Sequence, residues 1–189
     1  MNRLQALFLV LLIGFVAVLW LGTGRVPEPA AESVSSVAKP ETQITRIEKP
    51  LIIPVAGVRP DQLIDTFTAS RSEGRTHDAI DIMAPADTPV LAAANGQIQK
   101  LWQSDRGGTA IYQLSADQKL IFYYAHLARY ADGLTEGQQV RQGDVIAYVG
   151  DTGNAGPGNY HLHFSIAAVS DPKRYWEGTN INPYPLLRE

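Results

Sequence analysis

The chain has 189 residues, an apolar fraction of 45% and a formal net charge of -3, with no cysteine and four histidines. That length allows one domain plus attachments. Residues 51–189 hold 11 Lys+Arg against 15 Asp+Glu, which argues against a nucleic-acid partner, since that calls for a basic face; the missing cysteine excludes disulfides, a thiolate nucleophile and a Cys-ligated structural zinc.

Residues 4–21 are almost wholly apolar, with Gln5 the one strongly polar side chain and Arg3 just before them. As a helix they span roughly 27 Å, close to the thickness of a bilayer core, and the leading charge favours a cytoplasmic N-terminus. The competing reading is a cleaved signal peptide, whose apolar core is usually shorter, about 7–15 residues. Leu21-Gly22-Thr23-Gly24-Arg25 is a poor cleavage site, so the sequence predicts a transmembrane anchor over residues 1–21 (or an uncleaved signal). Residues 22–50 carry four prolines, several serines and few apolar side chains, the composition of a flexible linker. As a coil the linker reaches roughly 30 Å, and as extended polyproline about 90 Å. The expectation is a single-pass protein of the cytoplasmic membrane whose domain, residues 51–189, lies outside the cytoplasm, in the periplasm.

From residue 51 the pattern is short apolar runs cut by turn signals. Runs at 51–55, 81–83, 89–94, 97–102, 109–114, 119–126 and 145–149 alternate with Gly-, Asn- and Pro-containing breaks, and a helical period shows over residues 127–134 alone. This spacing predicts an all-β domain, a compact antiparallel sandwich or partly open barrel. Trp102 and Trp176 are expected to be packing residues. No G-K-[ST] loop, dinucleotide fingerprint or G-x-S-x-G elbow is present.

The chemistry gathers on the histidines. Tyr160-His161-Leu162-His163-Phe164 reads as a buried strand, and alternation puts His161 and His163 on one face with Leu162 on the other. An isolated H-x-H is more often a half-exposed pair than a ligand pair. In His77-Asp78-Ala79-Ile80-Asp81 an imidazole and a carboxylate stand at i and i+4, suitable ligands for a divalent ion of zinc type. One histidine of the 161/163 pair would complete a His2Asp set, leaving a fourth coordination position for water, and the remaining histidines would be free to handle protons.

Gly74-Arg75-x-His77-x-x-Ile80-Asp81-Ile82-x-Ala84-Pro85-x-x-Thr88-Pro89-Val90, then Tyr124-Ala125-His126-Leu127, then Gln142-Gly143-Asp144 with Gly150-x-Thr152-Gly153, and finally His161-Leu162-His163-Phe164 together resemble the motifs of the lysostaphin-type (LytM-like) zinc endopeptidases. The resemblance implies an open groove across an antiparallel β-domain and one zinc ion per domain. It gives His77, Asp81 and His163 as metal ligands, and His126 and His161 as catalytic groups beside the metal. It also implies peptides of peptidoglycan as substrate. Arg75, Asn154 and Tyr124 are candidates for holding substrate: Arg75 by pairing with a carboxylate or else as a solvated turn residue, Tyr123 or Tyr124 by donating to the oxyanion with the other in the core, Asn154 by lining the groove or else by taking a left-handed turn. The chain departs from the family pattern at Asp87, where glycine is usual, at Tyr160, and in the Gly156-Pro157-Gly158 loop. Two rival readings are a wall-binding or amidase-activating relative without chemistry and a zinc peptidase acting on proteins.

Overall fold

The computed structural model describes residues 50–71 and 74–188; the expected anchor and nearly all of the expected linker lie outside these. Nine strands form one antiparallel sheet: β1 (Ile80–Met83), β2 (Pro89–Leu91), β3 (Gly96–Ser104), β4 (Gly108–Ser115), β5 (Leu120–Tyr130), β6 (Gln139–Val140), β7 (Val145–Val149), β8 (His161–Ala168) and β9 (Thr179–Ile181). The order runs β1-β8-β5-β4-β3-β6, with β7 joining β5 to β2 and β9 lying on β8. The path has two free ends, so the sheet stays open. The one α-helix among the described residues is the single turn Pro183–Leu186. The all-β antiparallel expectation therefore stands.

Alternation explains β8. Leu162, Phe164 and Ile166 point into the core with no exposed surface, while His161, His163 and Ser165 take the other face. Burying each of these apolar side chains contributes about 1.5–3 kcal/mol. Phe164 meets Phe122 of β5 in a stacked pair, ring centroids 6.4 Å apart.

β5 is the spine of the sheet, and it changes partners midway. Residues 120–125 pair with β8, whereas Leu127, Arg129 and Tyr130 pair with β7. The break falls at His126, whose φ of 62° is left-handed. Its N–H leaves the ladder and donates to Gly107 O at 2.8 Å. This is a β-bulge, a device that re-aims a side chain. The helical period expected over residues 127–134 is corrected: β5 runs on to Tyr130, because Leu127 is fully buried and β7 supplies the pairing that a helix would have had to supply internally. Residues 51–55 likewise form no strand, only an isolated bridge from Val55 to Val90.

The turn between β3 and β4 is pressed against the loop that precedes β8. Gly108 and Gly153 both have positive φ, 61° and 68°. A Cβ on Gly153 would stand 2.3 Å from Gly108 N, and one on Gly108 would stand 2.2 Å from Thr152 Oγ1. Only glycine permits this approach, and it fixes Thr152 beside His126.

Candidate metal centre and groove

The strand register assembles the site. Asp81 of β1 lies directly opposite His163 of β8, and His163 lies opposite Ala125 of β5. His77 reaches the same point from the segment before β1, where its neighbour Asp78 takes a positive φ of 55°. The i and i+4 spacing survives, but as an irregular approach to a strand rather than as a regular face. His77 Nε2 stands 3.0 Å from His163 Nδ1 and 3.0 Å from Asp81 Oδ1, and His163 Nδ1 stands 3.2 Å from Asp81 Oδ1. These are the residues expected to bind metal.

The donor set fits a zinc-type ion. His77 Nδ1–H donates to the Thr66 carbonyl at 3.0 Å, which leaves the Nε2 lone pair aimed at the triangle. A backbone carbonyl on the second nitrogen is a usual way of fixing a ligating imidazole. Ligands about 2.0 Å from a tetrahedral zinc stand about 3.3 Å from one another, close to the three separations found. Asp81 is held twice more: its N–H donates to Thr66 Oγ1 at 3.2 Å, and its Oδ2 accepts from Arg71 at 2.7 Å. Burial alone would push this carboxyl up, but the His163 and His77 imidazoles beside it outweigh that and hold it well below the usual carboxylate range. Thr66 and Arg71 went unrecognised in the sequence. A carbonyl carries no sequence signal, and Arg71 stands ten residues from the carboxylate it holds.

The other two histidines face the triangle. His126 Nδ1–H donates to Thr152 O at 2.8 Å, and His161 Nδ1–H donates to Asn159 O at 2.8 Å. Each Nε2 is thereby left as the acceptor. The His126 and His161 rings lie 4.9 Å apart, and His161 Nε2 is 3.7 Å from Asp81 Oδ1. Thr152, already present in the third motif, is the residue that orients His126; its hydroxyl also donates to Leu127 O at 2.8 Å.

Burial lowers His126 from its ordinary value; the Thr152 carbonyl opposes this, and the nearby His163 and His161 add to it, leaving a pKa of about 4. Burial also lowers His163, against the pull of Asp81. Both are neutral at neutral pH. The unfolded chain protonates near 6.5 and the folded one lower, so stability falls as pH drops from about 6.5 to about 4, by up to about 3 kcal/mol for His126. Urea unfolding of chelator-treated protein checks this. We expect wild type to lose stability across that window and His126→Gln to lose less; a flat wild-type profile would contradict it.

A cavity of about 490 Å³ opens over these groups, and Arg75, Asn154 and Tyr123 line it. Asn154 does so from a short 3-10 turn (Gly153–Ala155), and the left-handed residue there is Gly153. Tyr124 is corrected: it is fully buried in the core, not in the groove. Its hydroxyl donates to Gln113 Oε1 at 2.6 Å and accepts from Ala93 N–H at 2.9 Å. Tyr124→Phe should therefore cost about 1–3 kcal/mol of stability through the partners left unsatisfied, read as a lower urea midpoint with metal binding unchanged. Trp102 and Trp176 are corrected as well: they are 45% and 61% exposed and do not fill the core. At Asp87 the backbone takes a left-handed φ of 62°, which glycine would adopt without strain, and the carboxylate pairs with Arg129 at 2.7 Å.

Known proteins resemble this chain in sequence and in fold. The chain is 31% identical over 119 residues to the L-Ala--D-Glu endopeptidase of Bacillus subtilis, covering 60% of this chain and 35% of that protein. It is 34% identical over 129 residues to the DD-carboxypeptidase/endopeptidase Mpg of Neisseria meningitidis, covering 68% and 26%. The chain thus spans about a quarter to a third of the length of these relatives. Among solved structures, the catalytic domain of lysostaphin from Staphylococcus simulans superposes with a TM-score of 0.53 at 28% identity, covering 62% of this chain and 83% of that one. A putative glycyl-glycine endopeptidase lytM from Ruminococcus gnavus gives 0.56 at 30% identity, covering 74% and 58%. Residues 75–183 match peptidase family M23, a span that runs from Arg75 through every histidine and carboxylate of the site, and the chain belongs to that family.

Proposed function

We propose that the chain is a zinc-dependent endopeptidase that hydrolyses peptide bonds in the stem peptides or cross-links of peptidoglycan. The observation that carries this reading is the His77, Asp81 and His163 triangle standing beside two further imidazoles with their Nε2 atoms free to accept. A non-catalytic relative would have no need of all five groups. The relatives' names, L-Ala--D-Glu endopeptidase and DD-carboxypeptidase/endopeptidase, support peptidoglycan peptides as substrate.

His77, Asp81 and His163 would hold the zinc, which when bound supplies Lewis-acid polarisation of a carbonyl and a water acidic enough to react at neutral pH. The rest falls to the chain. His126, neutral because it is buried, accepts a proton at Nε2 and returns it to the leaving amine. His161, held by the Asn159 carbonyl, shares that work or donates to the oxygen on which charge develops. Thr66, Thr152 and Asn159 fix three imidazoles in one tautomer, so no ring has to reorganise during the reaction. Tyr123, on the floor between Gly107 and His163, is the phenol that faces the substrate; burial raises its pKa, and it stays a hydrogen-bond donor.

The apolar run at residues 4–21 and the proline-containing stretch to residue 50 support a membrane-anchored enzyme whose domain reaches a peptide layer outside the cytoplasm. Mass spectrometry of products released from purified wall, with and without chelator, tests the activity, with a parallel casein digest. Chelator-sensitive release of peptide fragments is expected; release unaffected by chelator, or digestion of casein alone, would reject the reading.

A further inference from the structure

The sheet face that carries the metal triangle does not end at the groove. Residues paired across neighbouring strands share a face, so Ser165, Tyr123, Tyr112 and Lys100 form one row across β8, β5, β4 and β3, on the side of His163. Trp102 stands two residues beyond Lys100 on β3 and so shares that face. Tyr123 meets the His163 ring edge-on, centroids 6.1 Å apart. From there the rings continue outward: Tyr112 lies 4.6 Å from Tyr123, Tyr175 lies 4.9 Å from Tyr112, and Trp176 lies 5.0 Å from Tyr175. The series is unbroken from the site to Trp176, and both Trp176 and Trp102 are open to solvent.

Tyr175 and Trp176 come from a 3-10 segment, Pro172–Glu177, that is pinned at both ends. Asp171 accepts from Lys173 N–H at 2.9 Å, and Gly178 lies so close to β8 that an added Cβ would stand 2.7 Å from the Cβ of Ala167. Rings held this way lose little freedom when something stacks on them. The charges beside them are paired, Lys100 with Glu136 at 2.8 Å and Arg174 with Glu177. No Leu, Ile or Val stands in the row, as an apolar protein partner would require. Flat rings with a polar rim suit a sugar instead, whose C–H face packs on an aromatic ring while hydroxyl and acetamido groups reach the rim. The reach also agrees. Tyr112 stands two strands from His163, roughly 10 Å, and about three extended peptide residues cover that distance. A wall peptide held over the triangle would thus bring the sugar strand it hangs from onto these rings.

Resting on the peptidoglycan reading above, we propose that Tyr175 and Trp176, with Trp102 on the same face, form a subsite for the glycan strand, a chain of β-linked N-acetylated amino sugars. The subsite is continuous with the groove through Tyr112 and Tyr123, and it binds sugar while the metal site holds the attached peptide.

The test compares the full chain, in a detergent without a sugar headgroup, with its Trp102→Ala, Trp176→Ala double variant, both rings being exposed. Calorimetric titration with chitotetraose, the β-linked N-acetylglucosamine tetramer, should show binding that the double variant weakens about tenfold, as expected for lost aromatic stacking. Maltotetraose, which is helical and has no acetamido groups, should not bind. In cleavage assays the double variant should raise KM about tenfold for a wall peptide still joined to its disaccharide, with kcat unchanged; for the same peptide freed of sugar, the two chains should be equal. No binding of chitotetraose, equal binding of maltotetraose, or a KM for the sugar-bearing peptide unmoved by the double substitution would overturn the proposal. So would self-association of the wild type that the double variant lacks, which would give these rings to a second copy of the chain. Sugar binding without cleavage of either peptide would remove the endopeptidase reading and leave the subsite standing; cleavage of both with equal KM and no sugar binding would do the reverse.

Discussion

Asp81→Ala should leave the purified chain without stoichiometric zinc and lower turnover of wall peptides roughly a thousandfold or more, the several kcal/mol that a Lewis acid contributes at the transition state. Asp81 is the hinge of the triangle. Its Oδ1 stands 3.0 Å from His77 Nε2 and 3.2 Å from His163 Nδ1, while Oδ2 is occupied by Arg71. Removing the carboxylate deletes one ligand and turns Arg71 toward the remaining two, adding repulsion to a cation. Asp81→Asn keeps the shape and separates charge from volume; it should lose metal nearly as completely while unfolding at a midpoint close to wild type. Metal analysis and wall digestion of both variants check this. Full turnover by either one would end the assignment.

His126→Ala should keep zinc at full stoichiometry and lose about 10²–10⁴ in kcat, the usual contribution of a positioned proton-transfer group. The backbone adds a second expectation. His126 holds a left-handed φ of 62°, which costs a non-glycine residue about 1 kcal/mol or more. The chain bears this cost to aim an imidazole. His126→Gly, free of that strain, should therefore be at least as stable as His126→Ala in urea while equally inactive. A glycine variant markedly less stable than the alanine variant would mean that the bulge is not strained.

The bulge also explains which part of the site could be read from sequence. Alternation along β8 places His161 and His163 together, and Leu162 between them falls in the core. That pairing was legible because nothing interrupts the strand. Alternation along β5 fails. By parity Tyr124 and His126 share a face, so a groove-facing His126 suggests a groove-facing Tyr124. The register shift at His126 breaks the parity: Tyr123 and Ala125 line the groove, Tyr124 goes to the core, and His126 swings back to the groove side. A one-residue irregularity that only tertiary pairing reveals thus decides which of the two tyrosines faces the groove.

The support of the site was largely hidden for a different reason. Three imidazoles are oriented by the carbonyls of Thr66, Thr152 and Asn159, and any residue supplies a carbonyl. Thr152 alone showed a signal, through its place in the third motif. Trp102 and Trp176 show the limit of composition: large aromatic side chains are often buried, but these lie at the outer end of β3 and in the segment after β8, where the core does not reach.

The convergence of His77, Asp81 and His163 on one divalent ion is tested most directly by zinc K-edge X-ray absorption on the purified full chain. One zinc per chain with two imidazole nitrogens and a carboxylate oxygen at about 2 Å is the expected spectrum. Substoichiometric zinc, or a shell without imidazole scattering, would contradict it.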